Sequence, residues 1–394
     1  MIVLKKLIDK GVNELSFTMK SLVYKSNPGL FDLLNFDDDN IFLEPLLFTY
    51  FKAEDPLITL EQILYGYIED HLKPEQIPVL SDNNGMVFIP RFGYFKTDLR
   101  SSLVHLIKSG DNYKLQHQHT ELPYVFEDSL FIDSTSIEIY KYKLEIFGFI
   151  FNDIENHNRF SEINIVNIDK NLVKMINKAV RFIKEYHPVY YSLLSKTAKG
   201  LYLFEYDPML MYSFAGIDAH GVSFLNMQKY NNEIFFITEF AHQFAHCILN
   251  AILYDRTKFF SIHFDTAMTR IIGNIHDTRT LDDAFHGLFT TCTSGLILNT
   301  ALASNIFKDD KQHELIGRFV DNYYRFQTGL DDVEIDQVFT KKGRYLFTYL
   351  TNQLISLYSD KLALLRKYDT TGQPFVFNYP LFKKNNPTKC QVNA

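Results

Sequence analysis

His242 and His246, four residues apart in the run ITEFAHQFAHC, are the residues of this 394-residue chain best placed to do chemistry. On a helix that spacing puts both imidazoles on one face, about one turn apart, where they can share a metal ion. The alternative is a pair of core histidines with satisfied ring nitrogens. In HExxH hydrolases the residue after the first histidine is a glutamate, which takes a proton from metal-bound water and delivers it to the leaving amine. Here that residue is Gln243, whose amide has no proton to exchange. Ordinary metalloprotease chemistry is therefore disfavoured, and Gln243 is expected to donate a hydrogen bond to an oxygen ligand of the metal. A peptidase that has lost its base is the competing possibility. Glu239 precedes His242 by three residues on the same face, but it lies about 10 Å along the helix axis from His246. Orienting an imidazole suits it better than ligation.

The third ligand then has to come from another element. His263, Asp265, His276, Asp277 and His286 are the downstream candidates. An HxD pair such as His263 and Asp265 serves oxygenases built on β-barrels, and the many alternating strands of a barrel are missing here. His286 opens an apolar helical stretch, LDDAFHGLFTTC, where packing alone is a poor reason for a histidine. A second helix bringing one ligand to an HxxxH helix completes a three-ligand site with open positions.

These residues carry a resemblance. HDTRTLDDAFHGLF, through Asp277, Arg279, Leu281, His286 and Gly287, resembles the Asp-Pro-Arg-Pro-Leu…Leu-His-Gly segment of the HExxH-motif proteins of ribosomal peptide natural product pathways. ITEFAHQFAH is similar to that family's Leu-x-His-Glu-x-x-His helix. FTKKGRYLFTYL, with Thr340, Gly343 and Arg344, is similar to its Leu-Thr-x-x-Gly-Arg segment, and the order of the three is kept across about residues 216 to 350. Gln243 replaces the family's glutamate, and Thr278 and Thr280 stand where prolines are usual.

The resemblance implies a non-haem Fe(II) and 2-oxoglutarate-dependent oxygenase that hydroxylates the β-carbon of a residue in a precursor peptide. His242, His246 and His286 would bind the iron and leave positions for the co-substrate's two oxygen donors and for dioxygen. Zinc is the alternative metal, because imidazole suits both. Arg279 would pair in fork fashion with the distal carboxylate of 2-oxoglutarate, unless it is a structural partner of Asp282 or Asp283. Arg270 and Arg344 are further candidates for that carboxylate. Gln243 and Glu239 would tune the ligand shell. The competing classes are a degenerate zincin-like protein that binds peptide without cleaving it, and a metal-free scaffold.

The elements that must position these residues fall into two regions. Residues 1–165 mix helical patterns (PLITLEQILYGYIEDHL) with strand-like ones (GMVFIPRFGYF, SIEIYKYKLEIFGFIF), the pattern of an α+β accessory region. It is expected to bind the peptide along an exposed strand edge such as SIEIYKYKLEIF, or to complete the fold or a homodimer interface. The polar stretch NDIENHNRFSEIN marks the boundary. Residues 166–394 are expected to form a mainly helical metal-binding domain. It begins with one amphipathic helix (DKNLVKMINKAVRFIKEYHPVYYSLLS, stripe Leu172, Met175, Ile176, Ala179, Ile183). A small sheet from LYLFEYD and GVSFLNM lies against the histidine helix, and the chain ends in a frayed tail. The fold class is α+β, mainly helical.

Composition narrows the partners. A net charge of -7 with no Lys/Arg cluster argues against nucleic acid and favours a basic peptide. No segment has the roughly 20 apolar residues of a membrane span, and the Lys-interrupted N-terminus does not read as a signal peptide. Three widely spaced cysteines, Cys247, Cys292 and Cys390, give no disulfide framework and fit the cytoplasm.

Overall fold

The computed structural model describes residues 2–110, 112–153, 159–326, 333–374 and 376–387. The fold is α+β and mainly helical, about 51% helix against 15% strand. The middle of the boundary stretch, the end of the tail and Cys390 lie outside the described residues.

Helix α1 (Ile2–Ser26) opens the chain. It is followed by strands β1 (Gln76–Leu80), β2 (Met86–Ile89), β3 (Gly93–Lys96), β4 (Leu103–Ser109), β5 (Asn112–His117), β6 (Thr120–Leu122) and β7 (Val125–Asp128). These form two antiparallel sheets, β1-β4-β5-β6 and β2-β3-β7. GMVFIPRFGYF, read as strand-like, forms the β2–β3 hairpin.

The third sheet holds β8 (Leu130–Phe131), β9 (Glu138–Tyr140), β10 (Asn164–Ile165), β11 (Gly200–Glu205) and β12 (Val222–Asn226). β11 pairs in parallel with β12 and with β9. β11 and β12 are buried almost throughout, as parallel strands covered on both faces must be. SIEIYKYKLEIFGFIF does not form the expected exposed strand edge. Only Glu138–Tyr140 is strand, buried and flanked by β8 and β11, and the chain then turns helical over Glu145–Asp153. Its apolar run is interior surface, so this segment offers no exposed backbone edge to a peptide.

The long amphipathic segment is two helices. α2 (Lys170–Tyr186) is capped by Asp169 and buries Leu172, Ile176, Ala179 and Ile183; α3 (Pro188–Thr197) starts at a proline that cannot continue the preceding helix. Helix α4 (Glu233–Ile252) carries the histidine pair and runs through the centre, walled by α1, α2, α3 and β12. After it come α5 (Met268–Ile272), α6 (Leu281–Ser304), α7 (Asp309–Phe326) and α8 (Lys341–Tyr358). Contacts cross residue 165 freely. β9 pairs with β11, and a Cβ on Gly11 of α1 would overlap the Ala251 carbonyl at the end of α4. One apolar core takes in residues of both regions. No helix among the described residues is long and apolar enough to cross a membrane.

Candidate metal centre

Helix α4 is buried around nearly its whole circumference. The exceptions are Thr238, His242 and His246, which are half-buried and spaced by four, so they form one seam along the helix. Asn232 caps its start by accepting from Ile234 N–H, and the Tyr190 hydroxyl donates to the Phe240 and Ala241 carbonyls. Helix α6 packs along the seam and is tied to α4 by the Thr293 hydroxyl, which donates to the Ala241 carbonyl at 3.1 Å. A capping box fixes its first turn: Thr280 Oγ1 accepts from Asp283 N–H, and the Asp283 carboxylate accepts from Thr280 N–H, both at 3.1 Å. Thr280 is thus the helix cap. Six residues beyond it, buried His286 faces the seam.

The three imidazoles stand in a row. Ring centroids of His242 and His246 are 5.3 Å apart, and those of His246 and His286 are 5.2 Å apart with planes within 14°. His246 Nδ1 and His286 Nδ1 meet at 3.0 Å. On its other side, His286 Nε2 lies 3.9 Å from Asp282 Oδ2, and that carboxylate accepts from Arg256 Nε at 2.9 Å. Among the described residues no three His, Cys, Asp or Glu side chains are grouped closely enough to hold an ion as they stand. Two imidazoles touch, and His242 is one ring further along.

Burial sets the protonation of the row. Desolvation, aided by His286 at His246, by the Arg256 charge at His286, and by His246 and Arg325 at His242, pushes His246 and His286 down to about 3 and His242 well below its ordinary value. The rings are therefore neutral at physiological pH, the state in which a histidine binds metal.

Beyond His242 the seam opens into a cavity of about 160 Å³, lined by Glu239, Gln243, Ser294, Arg318, Asp321 and Arg325 among others. Gln243 Nε2 donates to the Ser213 carbonyl at 3.1 Å and to Glu239 Oε2 at 3.2 Å. A carbonyl can only accept, so this orientation of the amide is required. Both N–H groups are committed, and what Gln243 presents is its buried, unpartnered Oε1. The expected hydrogen bond from Gln243 to a metal-bound oxygen is thereby ruled out in this arrangement; the residue is an acceptor. Burial raises the Glu239 carboxyl, against the Arg318 charge and hydrogen bonds from Gln243 and Ser213.

No family model matches this chain, and no curated protein matches it.

The structure thus gathers His242, His246 and His286, with Glu239 and Gln243 beside them. It does not leave the Arg279 fork open. Arg279 Nε and Nη2 donate to the two Asp277 oxygens at 2.8 and 2.7 Å, so Asp277 occupies the fork in this arrangement, with the Asp283 charge nearby adding to its surroundings. Arg270 is exposed on α5, Arg344 pairs with Asp336, and His263, Asp265 and His276 are exposed. Thr340 and Gly343 have structural duties. Thr340 caps α8, and a Cβ on Gly343 would overlap the Phe259 carbonyl. Sequence reasoning missed Asp282 as a partner of His286, although a carboxylate four residues before a helical histidine shares its face. It also missed the α7 face of Arg318, Asp321, Asn322 and Arg325, whose three- and four-residue spacing was the available signal.

Proposed function

We propose that the chain is an Fe(II)- and 2-oxoglutarate-dependent oxygenase that hydroxylates a side chain, at its β-carbon, in a ribosomally made precursor peptide. The observation that carries the proposal is the row of three neutral, desolvated imidazoles in one seam between two helices. An all-nitrogen donor set of this kind suits iron or zinc. The 3.0 Å between His246 and His286 nitrogens is close to the roughly 3.0 Å between adjacent nitrogens placed at right angles about 2.1 Å from one ion. With the ion absent, the same contact serves as an N–H···N hydrogen bond. Side-chain rotation of His242 would bring the third ligand in. When bound, iron and 2-oxoglutarate supply the oxidising chemistry, in which decarboxylation of the co-substrate is coupled to insertion of oxygen into a C–H bond.

The chain's own groups do the rest. Asp282, held by Arg256, faces the outer nitrogen of His286 and favours the tautomer whose lone pair points to His246. Arg279 stands 3.8 Å from where a Gly287 Cβ would be, one residue from His286. A co-substrate carboxylate would have to displace Asp277 from it. Hydrolysis is disfavoured because Gln243 has no exchangeable proton and its donors are engaged.

The test is incubation with Fe(II), 2-oxoglutarate, oxygen and candidate precursor peptides drawn from short open reading frames flanking the gene. One added oxygen per peptide, with matching succinate, is the expected result. Peptide cleavage, or an unmodified peptide while the protein holds iron, would overturn it.

A further inference from the structure

Between the β8–β9 loop, the β2–β3 turn and helix α3 lies another cavity, of about 350 Å³, which shares no residue with the one beside His242. Its apolar wall includes Ile137, Tyr191 and Leu194, and its polar side includes Arg91, Ser134 and Ser136. Arg91 and Ser134 are exposed and Ser136 is half-buried, so a solute can reach them. The Arg91 guanidinium lies over the Tyr67 and Phe131 rings, 5.4 and 5.2 Å from their centroids, a packing that steadies a planar cation and leaves its N–H edge free. It forms no ion pair and no side-chain hydrogen bond among the described residues. The buried carboxyls that feel its charge are spent elsewhere. Glu138 accepts from the Arg91 backbone N–H at 2.9 Å and from the Ser129 hydroxyl, and Glu44 accepts from Leu46 N–H at 3.2 Å and from the Tyr67 hydroxyl. Burial raises both, Glu138 to about 7, so Glu138 is partly protonated near neutral pH. The Ser134 and Ser136 hydroxyls also have no partner among the described residues, whereas those of Thr135 and Ser195 donate to the Ile132 and Ser192 carbonyls.

We infer that this cavity binds a small organic acid, one carboxylate on an aromatic or branched-alkyl body, with Arg91 as its anchor. The guanidinium donates two parallel N–H groups to the carboxylate, the Ser134 and Ser136 hydroxyls supply further donors, and the body packs on Tyr191, Leu194 and Ile137. Arg91 and Ser134 stand at φ 61° and 58°, a region that residues other than glycine seldom take, so both turns that present these side chains are left-handed. One unpaired cation suits one negative charge better than the two of a phosphate dianion, and the apolar wall gives inorganic phosphate nothing to cover. A neutral amide of the same body keeps the packing and loses the charge-assisted pair. The volume is at the small end for a ligand pocket and fits one ring or a short branched chain.

Titration of the metal-free full chain with 3-phenylpropanoate, 3-phenylpropanamide and inorganic phosphate, followed by ligand-observed NMR, reads the charge preference directly. The acid should bind at least about tenfold tighter than the amide, and phosphate should bind more weakly than the acid. Arg91→Gln should weaken the acid at least about tenfold and leave the amide within about twofold. Ser136→Leu, which fills the cavity, should weaken both. Native circular dichroism is the control for folding; should Arg91→Gln fail it, the acid-to-amide ratio and Ser136→Leu decide. Equal binding of acid and amide, tighter binding of phosphate, or acid binding unchanged in either folded variant overturns the inference. Iron uptake by the histidine seam does not enter this test, so the acid site and the oxygenase reading stand or fall separately.

Discussion

At His246 and His286 the cost of burying a cation outweighs what any neighbour offers a protonated ring. The consequence for stability has a definite sign. In the unfolded chain His286 takes up a proton near 6.5, and in the fold only near 3. Between those values the unfolded state binds more protons. The metal-free protein therefore has full stability from this group above pH 6.5 and loses it as pH falls toward 3, by up to about 1.4 kcal/mol per pH unit. Urea midpoints across that range should slope accordingly, and His286→Gln should flatten the slope. If Asp282 orients His286, Asp282→Asn should weaken metal affinity about 10- to 100-fold with little change in fold, measured by chelator competition. The histidines and Glu239 were legible in the sequence because residue type and helical spacing carry them. The direction of the Gln243 amide was not, because the Ser213 carbonyl that fixes it comes from a distant loop. The Arg279 fork was equally illegible, since Asp277, two residues away, competes for it.

Helix α6 delivers His286 from a start set by Thr280 and Asp283, so the cap and the proposed ligand are mechanically linked. Thr280→Ala should cost about 1 kcal/mol in urea denaturation and lower metal affinity in the same variant. Equal affinity at reduced stability would separate cap from site. Helix α1 approaches α4 only because Gly11 has no side chain to meet the Ala251 carbonyl. Gly11→Ala should destabilise by roughly 2–3 kcal/mol. Periodicity found α2, α4 and α6 because each has an apolar face or is apolar throughout. It joined α2 to α3, because Pro188 breaks the backbone without interrupting the stripe. It also overextended β9, since a short apolar run reads alike as edge strand and as buried turn of helix.

Taken whole, the molecule places its histidine helix at the centre, covered from the N-terminal side by α1 and from the sheet side by β12. β9, contributed by the first 165 residues, completes the sheet beside β11. A fragment of residues 166–394 should therefore fail to fold, giving broad size-exclusion peaks and no cooperative melt. A monodisperse fragment that still binds metal would restore an independent domain. The proposed activity turns on the ion itself. Anaerobic titration of the full chain with Fe(II) and 2-oxoglutarate should give one iron per chain and a weak visible charge-transfer band, both lost in His286→Ala. No band, with metal affinity unchanged in His286→Ala, would contradict it.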